Sequence, residues 1–138
     1  MANYSNTAPQ TVLTNQNVLY AETPVKGNKC IIHRDGSGVV SLKGAQNGAM
    51  YRVMFSGNVA IPAGGALGAI NLAISLEGEA LGAGIMTTTP TALDTYENVA
   101  AGVVICVPAC CCLTLSVRNT STQSILVENA SLIVDRVA

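Results

Sequence analysis

The chain has 138 residues and a formal net charge of −1, which is enough length for one domain with a core of its own. Its 7 basic residues are scattered along the sequence, which excludes the clustered positive charge of a nucleic-acid-binding protein. Charged residues make up only 11% of the chain, compared with about 25% in ordinary soluble domains. So few charges would leave apolar surface uncovered on a monomer, and we therefore expect association with copies of the chain or with a partner.

The first part of the chain, residues 1–17, is rich in Asn, Gln, Thr and Ser and contains few apolar residues. Such a segment buries too little apolar surface to offset the entropy lost when it becomes ordered. The sequence therefore predicts an extended polar N-terminal arm over residues 1–17, ordered only in an assembly, and one domain over residues 18–138. The arm also lacks the basic and apolar regions of a secretory signal, so we expect the protein to be made in a cytoplasm.

From residue 18 onward, apolar and polar residues alternate with a period of two. The clearest examples are residues 51–61, 70–76 and 113–117. Alternation of this kind is typical of β-strands that pack one face against a core. A helix over residues 66–85 is disfavoured because each of its interior glycines would cost about 1 kcal/mol. The sequence therefore predicts strands and no helix.

Turn residues separate the predicted strands at regular intervals. Asp-Gly-Ser-Gly at 35–38 and Pro-Ala-Gly-Gly at 62–65 are two such breaks, and Glu77-Gly78 has the form of a two-residue hairpin turn. Many short strands at regular spacing are typical of sandwiches and barrels. The pattern predicts an all-β fold, a jelly-roll-like antiparallel β-sandwich of about eight strands.

One continuous apolar run occupies residues 99–113. It is shorter than the roughly 20 residues of a membrane-spanning helix, and Gly102 and Pro108 interrupt it. We interpret it as a buried strand, a turn and the start of the next strand, and we expect no membrane partner.

The chain has five cysteines that could bind a metal or form disulfides: Cys30, Cys106, Cys110, Cys111 and Cys112. Structural zinc sites use paired cysteines supported by a second pair or by histidines, whereas consecutive residues on a strand point to opposite faces. We therefore predict no metal and no cofactor. A cytoplasm disfavours disulfides, although one could form between strands or subunits after release. The simplest interpretation is that these cysteines are small buried apolar residues. The sequence leaves their redox state open.

Three other features are candidates for sites of catalysis or ligand binding. His33 is the single histidine and lies beside Arg34 and Asp35, which fits a polar strand end before a turn. Glu77 and Glu79 flank a predicted turn rather than the cleft that a catalytic carboxylate pair needs. The glycines near residue 64 precede no predicted helix and so do not form a phosphate-binding loop. We predict no catalytic, cofactor-binding or metal-binding residue and no enzymatic activity.

Three segments carry a resemblance to a known superfamily: INLAISLEGEAL at 70–81, VVICVPACCCLTLSVRNTS at 103–121 and NASLIVDRVA at 129–138. Together they resemble the jelly-roll domain of the complement and tumour necrosis factor-like superfamily. The resemblance implies a jelly roll that assembles as a homotrimer.

A closer resemblance, over about residues 18–138, is carried by HRDGSG, SGNVAIPAGG, LEGEALG and VPACCCLTLSVRNTS. These segments are similar to those of short proteins encoded among the structural genes of tailed phages of gut bacteria. The resemblance implies a non-enzymatic virion protein, a capsid decoration or head-fibre subunit that binds the major capsid protein or another virion protein at the particle surface. The alternative is a receptor- or glycan-binding tip domain of a phage tail fibre. The short arm carries no collagen-like or coiled-coil stalk, which argues against a long fibre.

Overall fold

The structure, a computed structural model, describes residues 1–27 and 29–138. The described residues form eleven strands and no helix. In chain order the strands are β1 (Ala2–Asn6), β2 (Gln10–Val12), β3 (Glu22–Val25), β4 (Ile31–His33), β5 (Val40–Lys43), β6 (Ala49–Ala60), β7 (Ile70–Leu76), β8 (Glu79–Thr88), β9 (Glu97–Val107), β10 (Cys112–Asn119) and β11 (Ile125–Arg136). The prediction of an all-β fold is confirmed.

The strands form two antiparallel sheets that pack face to face. The larger sheet has the order β3-β1-β11-β6-β9, with β2 pairing with the first residues of β11. The smaller sheet has the order β4-β5-β10-β7-β8. From β5 onward the chain crosses repeatedly between the sheets, as the connections of a jelly roll require. The predicted antiparallel sandwich is therefore present, with β9 and β8 as neighbouring edge strands of the two sheets.

The core lies between the sheets and is filled by alternate residues of each long strand. Tyr51, Val53 and Phe55 of β6 point inward and are buried, and so are Leu72 and Ile74 of β7. The residues between them on β6 point outward. The period of two in the sequence therefore marks the core-facing side of these strands.

The hairpin between β7 and β8 turns at Glu77 and Gly78, as predicted. Both residues have positive φ, 54° and 81°, as a type I′ turn requires. The Glu77 carboxylate accepts hydrogen bonds from the amide and the hydroxyl of Thr114, and Arg118 donates to the Gly78 carbonyl at 2.7 Å. These contacts fix the turn against β10.

Residues 1–17 differ from the predicted arm, because they contribute β1 and β2 to the larger sheet. Five residues of β1 pair with β11, from Ala2 opposite Val134 to Asn6 opposite Ala130. Ala2 and Tyr4 point inward and are buried, while the polar residues between them point outward. A strand needs apolar residues only on its inner face, so a polar composition does not exclude it. The strands β1, β2 and β3 account for the difference from the predicted eight.

Side-chain hydrogen bonds hold the rest of this N-terminal segment in place. The Gln10 side chain accepts from the Leu19 amide and donates to the Leu19 carbonyl, both at 3.0 Å, which mimics a pair of strand hydrogen bonds. Asn119, which is fully buried, donates to the carbonyls of Val12 and Gln123 at 2.9 and 3.0 Å. The end of β2 is therefore tied to the connection between β10 and β11.

Candidate interaction surface

The surface with the most pronounced apolar character is the outer face of the larger sheet, which we define by the outward-pointing residues of β6, β9 and β11. These residues are Met50, Arg52, Met54, Ser56, Asn58, Asn98, Ala100, Gly102, Val104, Cys106, Leu126, Glu128, Ser131, Ile133 and Asp135. They point outward because the residues between them fill the core. Strand register places Met54 between Ile133 of β11 and Gly102 of β9.

Large apolar side chains on this outer face are exposed to solvent. Met50 is 41% exposed, Met54 is 48% exposed and Val104 is 59% exposed. Next to Met54 lies a groove of about 330 Å³, also lined by Ala100, Gly102 and Ile133. The groove exists because Ala100 and Gly102 have little or no side chain beside the longer ones. A contiguous apolar patch of this kind is typical of a surface that another molecule covers.

Beside the exposed methionines, the charges of the outer face neutralise each other, and Glu128 points outward at the other end of the paired part of β11. Arg52 Nη2 lies 3.2 Å from Asp135 Oδ2, and the amino group of Met1 lies 3.9 Å from Asp135 Oδ1. Both ion pairs are within the chain. The outer face therefore offers apolar contact and no strong field of one sign.

The outer face of the smaller sheet has the opposite character. Ser41, Lys43, Asn71, Thr87 and Thr114 point outward there, and the Thr87 hydroxyl donates to the Asn71 side chain at 2.7 Å. Exposed apolar residues on this side lie on the two edge strands, at Ile32 and Ile85. The smaller sheet is therefore polar on its inner strands, whereas the larger sheet exposes large apolar side chains on its inner strand β6 as well as on its edge strand β9.

Four of the five cysteines are exposed free thiols: Cys106, Cys110, Cys111 and Cys112. The interpretation of these four as buried apolar residues is wrong. On β9 the inward positions are taken by Val103, Ile105 and Val107, so Cys106 points outward. Cys110 and Cys111 lie in the turn after β9, and Cys112 begins β10 with its side chain exposed. Cys30 is partly buried, with its Sγ 3.9 Å from Arg136 Nη1.

His33 packs inside the sandwich rather than at a catalytic site. Its ring lies 4.4 Å from the Tyr4 ring and 6.0 Å from the Tyr20 ring, measured between centroids. Its Nε2 donates to the Ser37 carbonyl at 2.8 Å, because a carbonyl can only accept. The ring thus joins β4 to β1 across the core, which is a structural role.

Buried tyrosines surround this part of the core. Burial raises the pKa of Tyr20 far above the usual tyrosine value and also raises the pKa of Tyr4. The burial that raises each pKa also packs each ring near His33 in the core.

The remaining sequence candidates lie in turns or at the start of a strand. Glu77 binds Thr114, and Glu79 lies at the exposed start of β8. Gly65 donates its amide to the Pro62 carbonyl at 3.0 Å in a turn that leads to no helix. Within residues 1–27 and 29–138, no three His, Cys, Asp or Glu side chains come close enough together to hold a metal ion. No segment of the described chain forms a helix of the length and apolarity that a membrane crossing needs.

Comparison with known proteins shows the fold. No protein-family model matches the sequence, and no curated protein matches it either. Among solved structures, the globular domain of a zebrafish complement 1qA protein is similar with a TM-score of 0.65 and 10% identity, over 96% of this chain and 94% of that one. Murine APRIL is similar with a TM-score of 0.60 and 10% identity, over 95% and 97% of the two chains. The chain has the jelly-roll fold of C1q and tumour necrosis factor-like domains.

The apolar character of the outer face was missed by sequence reasoning. The run at 99–113 predicts a buried strand, a turn and the start of another strand, and its residues 99–107 are apolar at both alternating positions. In the structure β9 is an edge strand with one face in the core and the other open. The available signal was the pair of methionines, Met50 and Met54, in the otherwise polar register of β6.

Proposed function

We propose that this chain is a non-enzymatic binding domain that works as a homo-oligomer, with the outer face of the larger sheet as its subunit interface. The observation that carries the proposal is the contrast between the two faces of the sandwich. A monomer would leave Met50, Met54 and Val104 in water, whereas the smaller sheet exposes large apolar side chains on its edge strands, at Ile32 and Ile85.

A second copy of the chain suits this face better than a charged partner does. Arg52 and Asp135, which lie beside the exposed apolar residues, are already paired, so a charged partner would gain little from them. Methionine side chains are flexible and polarisable, and they adapt to an apolar partner surface. The low charged fraction of 11% fits a chain that covers part of its own surface by association.

A trimer is the assembly that we expect. The chain shares its fold with C1q and tumour necrosis factor-like domains, and the sequence resemblance to that superfamily implies three subunits. Closed symmetry would use the same face on each subunit, which leaves the smaller sheet outward on all of them.

At a finer level, we propose a virion structural protein that decorates a phage capsid or forms a short head fibre. This proposal is supported by the resemblance of residues 18–138 to short structural proteins of tailed phages. The partner would be the major capsid protein or another virion protein, and the location the particle surface. A glycan-binding tail tip is less well supported, because sugar rings are held on exposed aromatic residues. Here Tyr4, Tyr20, Tyr51 and Phe55 are buried and Tyr96 is half-buried.

The oligomer is tested with a matched pair of charged variants. Wild-type protein should elute as a species of about three times the 14.1 kDa chain mass in size exclusion with light scattering. Val104→Asp places a charge on the outer face and should shift the population to monomer. Leu67→Asp is the control, since Leu67 is 55% exposed but lies in the loop before β7. A monomeric wild type at micromolar concentration would sink the proposal.

The virion role is tested on purified phage particles that carry the gene. Quantitative mass spectrometry should find the chain in many copies, in proportion to the major capsid protein. A few copies per particle would favour the tail-tip alternative. Absence from the particles would contradict both virion roles and leave the oligomeric binding domain to be judged on its own.

A further inference from the structure

The cysteine loop, which we define as residues 106–112, joins β9 to β10 at one end of the sandwich. Its four thiols are all exposed, so core packing does not explain them. The loop backbone is held in place: Cys111 donates its amide to the Pro108 carbonyl at 3.2 Å, and Gly44 donates to the Cys111 carbonyl at 2.8 Å. A side chain at Gly44 would collide with the Pro108 carbonyl, so the two loops fit closely. The thiols are therefore presented on a fixed support.

Three of the six possible pairs among the four thiols are poorly placed to form a disulfide. Cys106 points outward from the larger sheet and Cys112 points outward from the smaller sheet. Packed sheets lie about 10 Å apart, whereas the Cα atoms of a disulfide lie within about 7 Å. Adjacent residues have Cα atoms about 3.8 Å apart, which is shorter than an unstrained disulfide allows. A disulfide within the loop is disfavoured for these pairs.

We propose that the cysteine loop is a site of disulfide formation between chains, through Cys110 and Cys111. This inference rests on the proposed oligomer. Cys106 lies at the end of the outer face, opposite Met50, so a partner copy would cover it. Cys112 points away from that face. The turn residues Cys110 and Cys111 lie just beyond the edge of the interface, where symmetry brings the equivalent loops of neighbouring copies to the same end of the assembly.

The reaction is a thiol–disulfide exchange with a low-molecular-weight disulfide such as oxidised glutathione. A thiolate of one chain attacks a sulfur of oxidised glutathione, forms a mixed disulfide and releases one glutathione thiolate. A thiolate of the second chain then attacks the protein sulfur of that mixed disulfide and releases the second glutathione. Two protein thiols are oxidised to one disulfide, and oxidised glutathione is reduced to two molecules of glutathione.

The test is oxidation of the purified full chain with oxidised glutathione, followed by non-reducing electrophoresis and intact-mass measurement. Wild-type protein should form covalent dimers and trimers that reductant reverses. The variant Cys110→Ser/Cys111→Ser should stay at single-chain mass, whereas Cys106→Ser and Cys30→Ser should cross-link like wild type. An internal disulfide, glutathione adducts alone, or cross-linking that persists in the Cys110→Ser/Cys111→Ser variant would each overturn the assignment.

Light scattering under reducing conditions separates this inference from the proposed function. If wild type and the Cys110→Ser/Cys111→Ser variant are both oligomeric under reducing conditions, the proposed interface is supported. The electrophoresis result then decides whether the disulfide forms. If reduced wild type is monomeric, the proposed interface fails whatever the gel shows.

Discussion

At the residue scale, two buried tyrosines show opposite ways of placing a hydroxyl group in the core. The Tyr51 hydroxyl donates to the Lys43 carbonyl and lies 3.4 Å from the Cys30 carbonyl. The Tyr20 hydroxyl is fully buried and has no hydrogen-bond partner within the described part of the chain. An unpaired buried hydroxyl destabilises the folded state, whereas a paired one stabilises it.

We predict that Tyr20→Phe increases the free energy of unfolding by about 1 kcal/mol, because it removes an unpaired polar group. Tyr51→Phe is the matched control and should decrease it by about 1 kcal/mol, because a hydrogen bond is lost. Urea denaturation of the three proteins measures both changes. A decrease for Tyr20→Phe as large as that for Tyr51→Phe would show that the Tyr20 hydroxyl has a partner.

The burial of Tyr20 also predicts how the free energy of unfolding changes with pH in the alkaline range. Burial raises its pKa in the folded state, so the folded protein keeps a proton that the unfolded chain loses near pH 10. The stabilising contribution is complete below about pH 10 and is lost above it, at about 1.4 kcal/mol per pH unit. Denaturation between pH 9 and about pH 11 should show this slope. The slope should be smaller in Tyr20→Phe, and an unchanged slope would assign it to other tyrosines.

The burial of four cysteines was predicted wrongly from the sequence, and the reason is physical. Residue type says that cysteine is often buried, but burial is decided by the register of the strand. Val103, Ile105 and Val107 fill the inward positions of β9, so Cys106 faces outward. When every residue of a strand is apolar, the sequence does not show which set of alternate residues faces the core.

At the scale of elements, the well-predicted parts are those with strict alternation and a defined turn. Strands β6 and β7 and the turn at Glu77–Gly78 follow directly from period two and from the positive φ that glycine allows. Strand β1 could not be predicted in this way. Its inward residues Ala2 and Tyr4 are too few to form a pattern, and its pairing partner lies at the other end of the chain.

The paired strands predict that the N-terminal segment is part of the folded unit. Deletion of residues 1–15 removes both β1 and β2 from β11 and exposes the core beneath Tyr4 and Val12. Burial of a large apolar side chain contributes about 1.5–3 kcal/mol. We expect the truncated chain to be unfolded or to melt at least about 10 °C lower than the full chain, measured by circular dichroism.

Two adjacent residues of β1 provide a control for this deletion. Tyr4→Ser removes an inward side chain and should destabilise the fold by about 3–5 kcal/mol, as for other buried aromatic residues. Asn3→Ser changes an outward polar side chain and removes its hydrogen bond from the Ser131 hydroxyl, so it should lower the melting temperature far less than Tyr4→Ser does. A truncated chain with wild-type melting would restore the interpretation of a dispensable arm.

At the scale of the whole molecule, the thiols are spread around one end of the sandwich instead of converging. We therefore predict that the fold needs no metal. Treatment with a chelator should leave the melting temperature unchanged, and elemental analysis should find well under one zinc per chain. About one zinc per chain, lost together with folding on chelation, would contradict the prediction.

The position of β1 has a consequence for how the protein is made. Strand β1 leaves the ribosome well before its partner β11, since Ala2 lies opposite Val134. The centre of the larger sheet cannot form until β11 has been synthesised. Before that point β6 can pair with β9 but has no strand on its other side. Pairing over so long a sequence separation is entropically slow. The larger sheet is therefore complete only after β11 has been synthesised, and sheets with unpaired strand edges are prone to aggregation until then.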